Sequence, residues 1–598
     1  MSLVENNPFE KIIVQENLEG FAPQYTPENF TEEEIKYLKP FFTNVDQPVF
    51  VVQNLPEEVT AALSAKYSRA TETMRRTFLN EYVDPIIHPE NQKKWNELTK
   101  EEKADELDKK RSFNIYIDGF MGNGGIEKVV DKQRGQKFFD KWLVEYGDDS
   151  ISEMGNVHVC IEGLSIIATK EIEDQRIGIS PIEKSTRYVS FADKLPDGNY
   201  RYIVPGEIRG TDYEKTFRSS MDILFSTYSM LLEPYAEYIK GLYPKGDDET
   251  DASFEKSRRA KTFDDLRDLL PFSTITNLGL SGNGRAYEYL VNRMANHPLG
   301  EMRYWAFKIA SEVHKVTPSF IRRLESPSGR QIQEYKREIK ELRNEFSNQL
   351  FEKQHQHRKV IGARLLEYTM GGEESVLSAY IFTGNNSPSL HEVKEKVRSM
   401  SDDEKTEIFN KISMLRKQKN PDAKREDVRF KKIPRAFENS HYTYEFWARG
   451  GDYRDLQRHR MLTQERQNFT TIWGFDLEKE VLDSPFVGKI EKALSLLALV
   501  YEHLTEEHAD AAQYVVPFAY IQHWYTDLTA REMYYMAELR TGPQGRPHYR
   551  KIVQEMARQA IEIHPRLFAG MMVDWNDYSL ARRESEKWTE AKKKELNI

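Results

Sequence analysis

Cysteine is nearly missing from this chain: Cys160 is the only one in 598 residues. That excludes an intrachain disulfide and a cysteine-based metal cage, and no metal is expected. The N-terminus, Met1 to Glu10, lacks the basic start and apolar run of a signal peptide. No window approaches the roughly 20 apolar residues that a membrane span needs. These absences set the expectation of a cytoplasmic protein without a membrane partner. Excess basic charge is missing too. A net charge of -10 argues against a general nucleic-acid coat, so no nucleic-acid partner is expected, although local basic pockets survive such an average. Gly-rich dinucleotide fingerprints are also absent.

Hydrophobic residues make up 39% of the chain, charged residues 30% and aromatic residues 12%. This is a globular composition, because a disordered chain would be poor in aromatics. Such a length exceeds one core, and two large domains are the natural division. Residues 1–45 are polar and proline-marked, and read as an arm wrapped on the first domain. Pro48 to Val52 reads as a strand, and Glu57 to Tyr67 has helical spacing that ends at Ser68. Residues 85–112 form a charged, helical insertion. Asn156 to Glu162 reads as a strand and Gly163 to Glu173 as a helix with Ile166, Ile167 and Ile172 facing inward. Cys160 lies within that strand, where an unactivated thiol is packing material rather than a nucleophile. Further helices are expected at Tyr213 to Leu242 and from Thr262 onward, separated by a solvated acidic loop, Lys245 to Asp251.

In the segment Gly329 to Gln354, Ile332, Tyr335, Ile339, Leu342 and Phe346 recur at alternating gaps of three and four. The stripe suits a dimerising helix. It falls short of three to four heptads, so a linker helix laid on a domain is the expectation. A second domain is expected from Lys359, with an opening strand at Leu365 to Thr369 and a charged helical insertion from Ser399 to Asp427. Glu438 to Trp447 reads as a strand and His548 to Ile563 as a closing helix.

The chain also repeats itself. Gln175, Arg176 and Ile177 lead into Ser180-Pro-Ile-Glu-Lys-Ser-Thr-Arg-Tyr188, and Arg458, His459 and Arg460 lead into a second stretch 283 positions later. There Ser180 matches Thr463, Glu183 matches Arg466, Ser185 matches Asn468 and Arg187 matches Thr470. A second match pairs Pro271-Phe272 and Arg285 with Pro517-Phe518 and Arg531, at an offset of 246. Tyr289 and Tyr535 follow at the same place. Two matches in the same order are the trace of a duplication, with 37 extra residues in the first half (283 against 246).

Joined, the triplet Arg458-His459-Arg460 and the arm of Glu183, Ser185, Arg187 and Tyr188 resemble the signature of flavin-dependent thymidylate synthases. The resemblance implies an α+β protein of two tandem domains, each a mostly antiparallel sheet flanked by helices, with helical insertions. Its boundaries are 1–325, a helical linker 326–358, and 359–598. It implies reductive methylation of dUMP to dTMP, with FAD as cofactor and NADPH and methylenetetrahydrofolate as co-substrates. Substrate ligands carried over are Glu183, Ser185, Arg187, Arg267, Arg458 and Arg540, the last two also catalytic through charge stabilisation on the uracil ring. Arginine suits the phosphate because its planar fork never deprotonates.

Positions matching the family's cofactor ligands are Ser68, Asn283, Arg285, Arg458, His459, Arg460 and Arg531, although Tyr289, Tyr535 and Thr529 depart from its pattern. Counterparts of Arg267, Arg458 and Arg540 in the other repeat are Gln513, Gln175 and Met294. One composite nucleotide site per chain is therefore expected, with a homodimer reproducing the family's tetramer. Alternatives are a related flavin-dependent enzyme modifying C5 of a pyrimidine nucleotide, or a non-catalytic nucleotide-binding paralogue.

Overall fold

A computed structural model describes residues 7–92, 95–123, 132–139, 141, 149–351, 361–384, 386–417 and 430–578, with residues 580, 583, 586, 587, 589 and 590. Two antiparallel four-stranded sheets carry the architecture. The first contains β1 (Val49–Val52), β2 (Asn156–Ser165), β3 (Ile179–Glu183) and β4 (Ile275–Asn283) in the order β1-β2-β4-β3. The second contains β5 (Gly362–Tyr368), β6 (His441–Arg449), β7 (Leu462–Arg466) and β8 (Ile521–Thr529) in the order β5-β6-β8-β7. Helices flank both, so the protein is an α+β tandem.

The register repeats as well as the order. Ile179 faces Gly282 in the first sheet and Leu462 faces Leu528 in the second. Those pairs are separated by the same 283 and 246 positions as the two sequence matches. Alternation explains the strand β6, where Tyr442, Tyr444, Phe446 and Ala448 are buried and the residues between them are more exposed. It begins at His441, later than the sequence suggests, because Arg435–Asn439 form a short 3-10 turn.

β2 is longer than expected, reaching Ser165, and its helix starts at Ile166 rather than Gly163. Gly163 adopts φ +81° at a bulge against β4, which lets pairing resume at Leu164 and Ser165. The Ser165 hydroxyl then caps the helix by accepting from the Ala168 amide at 3.0 Å.

Two compact units result, and they do not follow the sequence halves. The first comprises Met1–Asp222, Phe272–His355 and Glu502–Val515; the second comprises Ile223–Pro271, Gln356–Tyr501 and Val516–Ile598. Each unit thus holds a segment of the other repeat, gripped at an equivalent residue. In the first unit the Tyr514 hydroxyl donates to Glu301, which also accepts from the Ser165 amide at 3.0 Å and Trp305 Nε1 at 2.9 Å. In the second, Asp268, 246 positions before Tyr514, accepts from Arg449 at 3.2 Å and Arg546 at 2.8 Å.

The N-terminal arm does lie on the first unit. Phe9 and Ile13 are fully buried, Asn7 donates to the Ser311 carbonyl at 3.0 Å, and Lys308 pairs with Glu10 at 3.2 Å. The acidic loop is not simply solvated. Glu249 is buried against Arg583, and Asp248 meets Lys587 at 2.8 Å. Thr250 caps a helix from Asp251 to Leu266, which starts well before Thr262. Inside the charged insertions, helices run over Lys100–Asn123 and Asp402–Lys417; residues 93–94 and 418–427 of those insertions lie outside the described residues. Lys359, the expected start of the second domain, lies outside them too. The closing helix spans Pro547–Ile563.

Candidate functional site

In the first unit the arm leaves β3 at Glu183 and turns at Ser185. Its geometry is fixed by backbone bonds: the Ser185 amide donates to the Ser68 carbonyl at 2.8 Å, and the Ser185 hydroxyl accepts from the Arg187 amide at 3.3 Å. The structure therefore brings together Ser68, expected at the cofactor, and Ser185 and Arg187, expected at the phosphate. Glu183 is buried and accepts from Lys170 Nζ at 3.2 Å, with Glu173 on the same ammonium. Lys184 turns the other way, toward the Thr71 carbonyl at 3.2 Å. Burial brings its ammonium down to about 8, with Glu162 opposing.

Asn283 and Arg285 have local duties. Asn283 caps the helix Gly284–Met294 by accepting from the Ala286 amide at 2.9 Å. Arg285 donates to Tyr289 at 3.0 Å and Glu153 at 2.8 Å. The repeat preserves the second of these contacts, since Arg531 donates to Glu438 at 2.7 Å. Cys160 is buried in β2 with its sulfur 3.2 Å from that of Met74, and burial pushes the thiol well up.

In the second unit the helix Gly450–Leu456 ends, and Arg458-His459-Arg460 runs out toward β7. Arg458 and Arg460 are exposed and His459 between them is buried. The helix Ala530–Arg540 supplies both partners of that imidazole: Glu532 at 2.7 Å from Nδ1, and Arg540 Nε at 2.9 Å from Nε2. A guanidinium only donates, so Nε2 accepts and Nδ1–H donates to the carboxylate. Burial holds His459 below its ordinary pKa, which keeps this neutral tautomer. The chain Glu532–His459–Arg540 thus fixes the plane of the Arg540 guanidinium.

Arg267 also belongs to the second unit, with Arg458 and Arg540, although it lies in the first sequence half. It is buried and donates to Asp455 at 2.9 Å. Its counterpart Gln513 lies in the first unit, with Gln175 and Met294. Three arginines are collected in one unit and their three uncharged replacements in the other. Sequence reasoning missed Lys170, Asp455 and Glu532. Asp455 stands 188 positions from Arg267, so spacing alone carries no signal of that pair.

The whole is a duplicated α+β fold whose repeats have diverged at corresponding arginine positions. Residues 56–319 and 364–566 match the family described as thymidylate synthase complementing protein. The chain belongs to that family. It is 32% identical to a UPF0159 protein of Chlamydia muridarum over 563 residues, covering 93% of this chain and 98% of the relative. A UPF0159 protein of Thermoplasma acidophilum is 30% identical over 485 residues, 76% of this chain and 92% of that one. A flavin-dependent thymidylate synthase of Mycobacterium sp. (strain JLS) is 27% identical over 179 residues, 30% of this chain and 65% of that protein.

Proposed function

We propose that the chain is an FAD-dependent thymidylate synthase that methylates dUMP to dTMP with methylenetetrahydrofolate and NADPH, using one complete ligand set per chain. The observation that carries this reading is the sorting of Arg267, Arg458 and Arg540 into one unit, away from Gln513, Gln175 and Met294. Ser185 and Arg187 grip the nucleotide phosphate, with Glu183 locked behind them by Lys170. Within the second unit Asp455 orients Arg267, which is suited to an anion. Arg540, held by His459, and Arg458 stabilise negative charge developing on the pyrimidine ring. Two such chains pair as a homodimer that reproduces four domains.

The donor set fits a flavin dinucleotide at the triplet, where two exposed arginines flank a fixed neutral imidazole and suit a diphosphate. In the first unit Ser68 stands beside the arm, its carbonyl accepting from the Ser185 amide. Asn283, Arg285 and Arg531 fit less well, because a helix cap and two ion pairs already use them. When bound, the flavin supplies hydride transfer, and the protein supplies position and electrostatics.

The test is the absorbance spectrum of the purified protein, followed by incubation with dUMP, methylenetetrahydrofolate and NADPH and mass analysis of the nucleotide. Flavin bands and dTMP are expected. A different carbon unit on C5 would replace this reading with a related modifying enzyme. Nucleotide binding without flavin or turnover would replace it with a non-catalytic paralogue.

A further inference from the structure

The helix Pro327–Leu350 in the first unit does not lie flat on a domain as the sequence suggests. Its first turns are anchored: Gln333 is buried and donates to Asn292 at 3.1 Å and to the Leu324 carbonyl at 3.2 Å. From Ile332 onward the apolar stripe nevertheless stands open to solvent, with Ile332, Tyr335, Ile339, Leu342 and Phe346 between 43 and 62% exposed. A contiguous apolar stripe left exposed on an ordered helix marks an interaction surface.

The surrounding charges say what covers it. With Ile332 at heptad position a, Ile339 and Phe346 are also a, while Tyr335 and Leu342 are d. Lys336 and Arg343 then occupy e, and Glu338 and Glu345 occupy g. On the outer face, Arg337 pairs within the helix with Glu334 at 3.4 Å and Glu341 at 3.5 Å. Neither Glu338 nor Arg343 has an ion pair among the described residues. Position g of one helix meets position e of the next heptad when two copies run parallel, which sets Glu338 against Arg343 twice by symmetry. An antiparallel pair would instead set glutamate near glutamate and lysine near arginine. Ile339 at a and Leu342 at d is also the combination that favours two parallel strands.

We propose that this helix is a docking surface for a second copy of the same chain, pairing with the same helix of that copy as a short parallel coiled coil. The seam is brief, but its helix is already folded and anchored, so pairing does not have to nucleate it. The inference shares with the proposed function only the expectation of a two-chain assembly, and none of the proposed ligand residues lies on the seam.

The experiment uses the full chain. Leu342→Cys adds one exposed thiol to a protein whose own cysteine is buried. In the parallel register residue 342 faces itself, so mild oxidation under native conditions should yield a disulfide-linked dimer. Ile339→Asp with Leu342→Asp, both on the solvent face, should reduce the particle to single-chain mass in light scattering while circular dichroism is unchanged. Glu338→Arg should weaken the dimer, and adding Arg343→Glu should restore it. A wild-type chain that is monomeric at micromolar concentration overturns both this inference and the proposed homodimer. A dimer that survives the double aspartate variant, or fails to cross-link through residue 342, overturns the docking surface alone. Absent dUMP turnover in any of these proteins bears only on the catalytic reading.

Discussion

Arginines carry the argument at the scale of single residues, because the two repeats differ in charge at equivalent positions. A hydrogen bond to a charged group contributes about 1.5–3 kcal/mol. Arg458→Ala and Arg267→Ala are therefore each expected to weaken dUMP binding about ten- to 150-fold by calorimetry, since about 1.4 kcal/mol is a factor of ten. Gln175→Ala and Gln513→Ala, their counterparts, should leave binding unchanged. Equal damage from all four changes would end the idea of complementary repeats. Cys160 supplies the opposite control. Its thiol is buried against Met74 and its pKa is raised, so Cys160→Ala should retain turnover and lose about 1–2 kcal/mol to a small cavity. Loss of turnover in a folded variant would point to a nucleophile instead.

At the scale of elements, buried ion pairs tie the segment Ile223–Pro271 into the second unit. Asp268 brings a carboxylate from the first repeat to Arg449 and Arg546, whose side chains are fully buried. Around them Glu478 lies 2.9 Å from both arginines, Asp452 3.2 Å from Arg449, and His548 bridges Asp452 and Asp476. Removing one member leaves a buried charge uncompensated, so Asp268→Ala should cost about 3–5 kcal/mol in a denaturant titration. A loss near zero would show that Asp268 does not hold the segment.

The network also titrates. Burial alone would raise Asp452 and Glu478, yet His548 and Arg449 hold Asp452 well below the usual carboxylate range, and Arg449 and Arg546 do so for Glu478. Their stabilisation is complete above the ordinary carboxylate pKa of about 4 and fades as pH falls toward the depressed values. His548 is opposite in sign. Burial and Arg449 pull it down, but Asp452 and Asp476 lift it above its ordinary pKa. Its contribution is complete below about 6.5 and fades as pH rises through the raised value. Stability of the network should therefore peak at about pH 5–6, and His548→Gln should flatten the alkaline side of the denaturation-midpoint profile. An unchanged profile would remove His548 from the network's titration.

Much of this was legible in the sequence where local pattern carries it. Glu57–Tyr67 forms the expected helix, β6 follows from alternation, and the two offsets reappear as strand register. The placement of Ile223–Pro271 in the second unit was not legible, because the ion pairs that tie it there join residues up to 278 positions apart. For the same reason the resemblance could single out Arg267 as a candidate ligand, four residues before Pro271, while nothing pointed to Asp455, 188 positions away. The heptad stripe was read correctly as a pattern, but whether such a stripe is covered is a property of the folded surface.

For the whole molecule, duplication sets the count of sites. A chain with two equivalent copies of the family's fold would hold two nucleotide sites if both ligand sets were intact. Here Glu183, Ser185, Arg187 and Arg267 of the first repeat have Arg466, Asn468, Thr470 and Gln513 as counterparts in the second, while Arg458 and Arg540 of the second have Gln175 and Met294 in the first; the second set is the six counterparts. The second set offers Arg466 as its only cation among those six positions, on the β7 strand end, with its guanidinium 4.2 Å from the Phe469 ring centre. A phosphate dianion needs several convergent donors to offset its desolvation, and one arginine does not supply them. Calorimetric titration with dUMP is therefore expected to saturate at one nucleotide per chain, and Arg466→Ala should leave both affinity and stoichiometry as they were. A stoichiometry of two per chain, or a loss of half the sites in Arg466→Ala, would show that the second set still binds and that the repeats have not divided the work.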